Sequence, residues 1–318
     1  MKRVLAPRAS AILYAVLCSV RKRQPFLLPA NICPIVPITF LKAGMPFEFV
    51  DLSAHSLGMD ISLIVERLEA AAGKLGGVLY AHTYGDPATP MEYFKEIRTR
   101  WPELLVIDDR CLCLPEFEQH DDTTADVILY STGYAKITDI GFGGYAFLRD
   151  GVACDYRELT FDAQDLRQLE AQYKAAVDAG TRFEYRDSDW LQTQAVLPSW
   201  NAYAEQVTSA LQPILEHRRT INAVYNSMIP GELQLRGAYQ LWRFNLNLPL
   251  AAKARVLERI FAAGLFASSH YQSLVGIMGK GTGANAAALG SHVVNLFNDQ
   301  HYDVAMAERT AQVVLRSL

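Results

Sequence analysis

The chain has 318 residues, half of them hydrophobic, with a formal net charge of −4; that is enough for a sizeable core and excludes the broad basic field that holds a protein on nucleic acid. Five cysteines (18, 33, 111, 113 and 154) are odd in number and lack the spacing of zinc knuckles or redox dithiols, so reduced thiols and a cytoplasmic setting are expected. No run of about eighteen apolar residues occurs that would span a membrane, and the apolar stretch after MKR is broken by Arg8, Ser10 and Tyr14, so no targeting segment is expected either.

A helix is expected over about 9–22, closed by the basic run RKRQ at 21–24, where cations suit the carbonyl end of the helix dipole. The short strand FLLP leads into PANICPIVPITFLKAG, which carries a helix interrupted or started by prolines. FEFVDL (47–52) reads as a strand, DISLIVERLEAAA as a helix with Asp60 as N-cap, and GVLYAHTYG as a strand running into a glycine turn. TPMEYFKEIRTRW repeats the helical spacing, LLVIDD is a buried strand, and ADVILYST and GGYAFLRD complete a sheet. This alternation predicts an α/β fold with a largely parallel sheet. Residues 162–228 read as helical with interruptions at Pro198 and Pro213, HRRTINAVYNSM being a clean amphipathic piece. From about 232, the strand WRFNLNL, the helix AAKARVLERIFAAG closed by Gly264, the strand VVNLFND and a last helix suit a small α+β domain. The expected division is therefore 1–230 and 231–318. GKGTGAN (279–285) is glycine-rich but lacks the ending of a phosphate-binding loop, and a flexible surface loop is expected there.

One segment carries chemistry. YSTGYAKITDIGFGGYAFLRD (130–150) sets Lys136 between a serine and a glycine pair, downstream of LLVIDD. An amine that attacks a carbonyl must be held in one place and partly shielded from water, whereas an arbitrary lysine after a strand is a solvated charge. LLVIDD ends in Asp108 and Asp109, which point opposite ways on an extended strand, and open α/β sheets bind ligands beyond the carboxyl ends of their strands. Without the lysine, such a pair would read as a turn or cap. No histidine lies at a metal-ligand spacing.

LVIDD followed by YSTGYAK and a glycine pair resembles the fold-type I enzymes that use pyridoxal phosphate, and within them the DegT/DnrJ/EryC1/StrS family of sugar aminotransferases. FLKAGMPFEFVDLSAHSLGMDISLIVERL, AHTYGDPATPMEYFKEI, EHRRTINAVYNSM and SSHYQSL are similar to further segments of that family, in matching order over about residues 8–300. The resemblance implies a mostly parallel, seven-stranded sheet in a large domain, a small C-terminal α+β domain, and pyridoxal 5′-phosphate as cofactor. It makes Lys136 the Schiff-base lysine and proton shuttle, and pairs Asp109 with the ring nitrogen. Ser131, Ser10 and the backbone of Ala9 would take the phosphate at a helix N-terminus; alone, Ser10 would be a cap. Cys33 or a neighbouring residue of PANICPIVPIT stands where the family usually sets an aromatic over the ring, and Leu112 where it usually has glutamine or histidine. His82, His270 and Tyr271 resemble positions near the active site, although a lone histidine beside a strand end is otherwise a structural hydrogen-bonder. Tyr185 and Arg186 in RFEYRDSDWLQ are candidates for a substrate-side arginine near a loop that crosses the dimer. A segment that precedes the phosphate-binding helix in typical members has no counterpart here. The implied activity is transfer of an amino group from an amino-acid donor to a keto group of a nucleotide-linked sugar or similar polar metabolite, in a homodimer. Divergence on the substrate side leaves two alternatives: a pyridoxal-phosphate lyase, dehydratase, racemase or decarboxylase, and a non-catalytic relative that kept the fold.

Overall fold

The computed structural model describes residues 1–118, 125–235 and 240–318. Its main sheet contains β1 (Lys2–Ala6), β2 (Phe26–Pro29), β3 (Phe47–Val50), β4 (Gly77–Ala81), β5 (Leu105–Asp109), β6 (Val127–Ser131) and β7 (Gly144–Leu148), in the order β1-β7-β6-β5-β4-β2-β3. The run from β6 to β3 is parallel, while β7 is antiparallel to β6 and β1 to β7. Both faces are covered, so β2 and β4 are buried at every residue and read as unbroken apolar runs.

Side chains alternate between two cores. Leu28, Leu79, Ile107 and Leu129 pack with α1 (Ala9–Ser19), α2 (Ile35–Lys42) and α5 (Ala163–Ala179). Leu27, Val78, Val106 and Ile128 pack against α3 (Ile61–Ala71), α4 (Met91–Arg100) and the first half of α6 (Trp200–Met228). Asp60 caps α3 as expected, accepting from the Ser62 and Leu63 amides. A second, antiparallel sheet has the order β8-β10-β9, from β8 (Phe244–Asn247), β9 (Ala267–Ser268) and β10 (Val293–Leu296), and carries α7 (Leu250–Ala262), α8 (Ala284–His292) and α9 (Val304–Leu315). Its core takes Ile221 and Tyr225 from α6, which also supplies Tyr203 and Val207 to the main sheet. No described helix is long and apolar enough to cross a membrane.

Three expectations are corrected. Residues 181–198 are not helical: Gly180, at φ +62°, ends α5, and the irregular chain beyond it is held by tertiary contacts, burying Trp190 and Leu191 and pairing Asp187 with Lys42. Pro213 does not interrupt α6. The carbonyl it leaves without an amide partner is that of exposed Ser209, and burial at both ends sustains the helix. Finally, the 279–285 segment is docked, not loose. The Phe49 amide donates to the Lys280 carbonyl (2.8 Å) and the Thr282 amide to the Phe49 carbonyl (3.1 Å), covering the edge strand β3. A Cβ on Gly281, at φ +148°, would stand 2.0 Å from the Phe49 carbonyl oxygen, so glycine is required by this close approach.

Candidate active site

The glycine pair of the lysine segment fixes where α1 begins. A Cβ on Gly144 would lie 2.1 Å from the Ala9 nitrogen and 2.5 Å from its Cα, and the Gly143 amide donates to the Pro7 carbonyl (2.8 Å). Only a bare backbone lets the helix start this close to the carboxyl end of β6. The N-cap residue, Arg8, is extended and makes no side-chain cap. Neither the Ser10 nor the Ser131 hydroxyl bonds a protein group among the described residues. First-turn amides, two hydroxyls and the adjacent Arg8 thus form a pole suited to an anion.

Lys136 follows Ala135, which sits at φ +60°, a costly conformation for a residue with a Cβ. The turn is held from several sides. Asp139 accepts from the Ala135 amide (2.8 Å), and Trp242 Nε1 donates to the Ala135 carbonyl (2.7 Å). Arg218 Nη2 donates to the carbonyls of Lys136 (3.0 Å) and Ile137 (3.1 Å). Its Nη1 donates to the Trp242 carbonyl (2.9 Å) and Asn298 Oδ1 (2.5 Å). Arg218 is 1% exposed and all these acceptors are neutral; burial, reinforced by the neighbouring Arg243, lowers its pKa to about 10, which still leaves it charged at neutral pH. The half-buried Lys136 side chain lines the cavity below, and no group among the described residues bonds its Nζ.

Asp108 and Asp109 divide between the two faces of β5. Asp109 faces the α1 side, where its Oδ1 accepts from the Cys111 amide (3.0 Å). Asp108 faces the opposite core, bonded to His82 Nε2 (2.7 Å) and Arg110 Nε (2.7 Å). His82 Nδ1 lies 2.6 Å from the Asp86 carbonyl, so both ring nitrogens face acceptors. Burial opposes a charge on this ring, but the hydrogen bond and charge of Asp108, with help from Cys113, outweigh it and push the pKa up to about 11. His82 is therefore an imidazolium spent on Asp108, although the residue also lines the cavity.

A cavity of about 240 Å³ brings Lys136, Asp109, Ser131, Ser10 and Ala9 together, with Cys33, Leu112 and Tyr271 on its wall. Burial pushes up the Cys33 thiol, against the lowering influence of Lys136, so Cys33 presents a neutral surface. Tyr271 is buried edge-on to Tyr84, at 5.6 Å between ring centroids. His270 is not on the cavity wall: its ring lies 5.8 Å from that of Trp242, and its amide donates to Asn295 Oδ1 (2.8 Å). Arg186 is exposed and also off the wall, while Tyr185 bonds Asp187 (2.8 Å) and receives Trp190 Nε1 (3.1 Å). Asn31, Glu170, Tyr173 and Trp190 also line the cavity and carry no sequence signal. Their positions depend on how α5 and the 181–198 segment fold back, and no local pattern records that. Tyr134, by contrast, lay unread inside the lysine segment, and at 79% exposure it stands at the mouth.

No family model matches this sequence, and no curated protein matches it. Solved structures do. The chain is similar to a sugar aminotransferase of Micromonospora echinospora (TM-score 0.70, 16% identity, covering 99% of this chain and 87% of that one). It is similar to a DegT DnrJ EryC1 StrS aminotransferase of Brucella abortus (0.70, 14%, 99% and 86%). It is also similar to DesI in the presence of its TDP-sugar product (0.71, 15%, 100% and 81%). The fold is thus the α/β fold-type I fold of the pyridoxal-phosphate aminotransferases over nearly the whole chain; at such identities the chemistry must be argued from the site.

Proposed function

We propose that the protein is a pyridoxal-phosphate-dependent aminotransferase acting on a keto group of a nucleotide-linked sugar or similar polar metabolite, with an amino acid as donor. The observation that carries this reading is the convergence on one cavity of an amine that no group among the described residues bonds, a buried carboxylate and an anion pole, from Lys136, Asp109 and the Ser10–Ser131 end of α1. These residues fit the cofactor. Lys136 would hold its aldehyde carbon, Asp109 would face the ring nitrogen through the oxygen not taken by Cys111, and the α1 amides with Ser10 and Ser131 would take its phosphate. When bound, pyridoxal phosphate supplies an electron sink for bonds at the substrate's α-carbon. The chain's own part is to hold Asp109 toward the ring, to set Lys136 Nζ where it takes up and returns the proton, and to exclude water with Cys33, Leu112 and Tyr271.

The sugar part of the proposal is supported by the likeness to the sugar aminotransferases above. A homodimer belongs to the same reading: Tyr134 is a large exposed aromatic at the cavity mouth, a surface suited to a second copy. The test is absorbance of the purified protein with added cofactor, followed by borohydride and mass analysis, for wild type and Lys136→Ala. Wild type should gain a visible band and a reduced adduct on Lys136, and the variant neither; equal behaviour of the two proteins would refute the assignment. A loaded enzyme should then consume glutamate or another donor in step with amination of a keto-sugar.

A further inference from the structure

Asn31 is fully buried, lines the cavity, and has no hydrogen-bond partner for either its amide nitrogen or its carbonyl oxygen among the described residues. It follows the carboxyl end of β2, and its backbone is fixed there: the neighbouring Ala30 amide donates to the Val50 carbonyl (2.9 Å), and the Leu274 amide to the Ala30 carbonyl (2.8 Å). Ile32, Ile35, Val36 and Ala81 give the same cavity an apolar wall, beside the polar Thr39 and Thr83. A buried carboxamide without partners opposes folding, so its retention on such a wall calls for a partner that arrives with a ligand.

We infer that Asn31 is a ligand-binding residue whose carboxamide pairs with a hydroxyl of the molecule held in the cavity. A hydroxyl is the smallest group that accepts from the amide N–H and donates to the carbonyl oxygen together. Two sources present it: the ring hydroxyl of pyridoxal phosphate and a sugar hydroxyl of the substrate. The inference rests on the functional reading above and deepens it by naming a contact on a segment, PANICP, that lends the cavity no other polar side chain.

The test uses the full chain with Asn31→Leu, which keeps the shape and removes the polar atoms, and Asn31→Asp, which keeps acceptors and removes the donor. Cofactor affinity is read from absorbance titration with pyridoxal phosphate, nucleotide-sugar affinity from calorimetry with thymidine diphosphate glucose, and stability from melting of the cofactor-free protein. Asn31→Leu should melt higher than wild type, because an unpaired polar group has been removed, yet bind one ligand about tenfold more weakly. Weakened cofactor binding identifies the ring hydroxyl; unchanged cofactor binding with weakened sugar binding identifies the substrate. Asn31→Asp, which the cavity tolerates by size, should weaken the same ligand, so the inference stays testable if the leucine variant does not fold. Affinities within twofold of wild type for both ligands overturn the inference and leave the cofactor reading standing. A wild type that takes up no pyridoxal phosphate overturns both.

Discussion

The imidazolium of His82 makes stability depend on pH in a defined direction. Its pKa in the folded chain, about 11, lies above the ordinary 6.5, so its pairing with Asp108 contributes fully below about pH 6.5 and is lost as the pH rises through 11. Urea unfolding of wild type should show stability declining across that window, with other groups titrating alongside. In His82→Gln the decline should flatten and the stability near pH 7 should fall by about 3 kcal/mol, because a buried pair is broken from one side. Parallel pH profiles for the two proteins would show that the ring is not charged. The sequence resemblance set His82 near the active site, and the residue does line the cavity, but its side chain serves the other core. That distinction was not legible, because it turns on which face of β5 Asp108 occupies and on the register of β4 against β5, where Tyr80 lies opposite Asp108. Lys136, Asp109 and Ser131 were legible because short local segments carry them. Asn31 was not, since what sets it apart is the absence of any partner among the described residues in three dimensions.

The start of α1 depends on Gly144 more than on α1's own residues. An added Cβ would meet backbone atoms of Ala9, which cannot swing aside as a flexible side chain can. Gly144→Ala should therefore displace the helix N-terminus, cost about 1–3 kcal/mol through overpacking, and weaken pyridoxal phosphate binding by more than tenfold if the α1 amides hold its phosphate. Gly231→Ala is the control, because a Cβ there meets nothing within 4 Å. Equal cofactor titrations for the two variants would remove α1 from the phosphate site. The order of strands and helices from α1 through β7 was readable because a parallel sheet covered on both faces leaves apolar runs of strand length between helix-period segments. β1 was missed because KRVLA is short and begins with exposed charges; it is a strand only by pairing with β7. The 279–285 segment was misread for a related reason. Its order comes from Phe49, far away in sequence, and glycine content alone does not separate a loose loop from a backbone pressed against a sheet edge.

Across the whole molecule, Arg218 and Trp242 join the lysine turn to the second sheet. α6 reaches from the core of the main sheet to that of the small one, and midway along it Arg218 ties the Lys136 and Ile137 carbonyls to Trp242 and Asn298, residues flanking β8 and β10. A cofactor bound at Lys136 should thus be felt well beyond the cavity. Hydrogen exchange should slow on adding pyridoxal phosphate not only in residues 131–144 but also in the second half of α6 and in β8. Arg218→Lys keeps a charge but not the planar fork that reaches several carbonyls at once. It should therefore abolish the distant protection, lower cofactor affinity by about tenfold, and leave the buried carbonyls of Lys136 and Ile137 short of partners at a cost of about 1–3 kcal/mol. If the lysine variant still transmits protection to β8, coupling runs through the Trp242–Ala135 bond or packing along α6, and Arg218 serves the local turn alone. If protection in wild type stops at the main sheet, the two cores respond independently despite the shared helix.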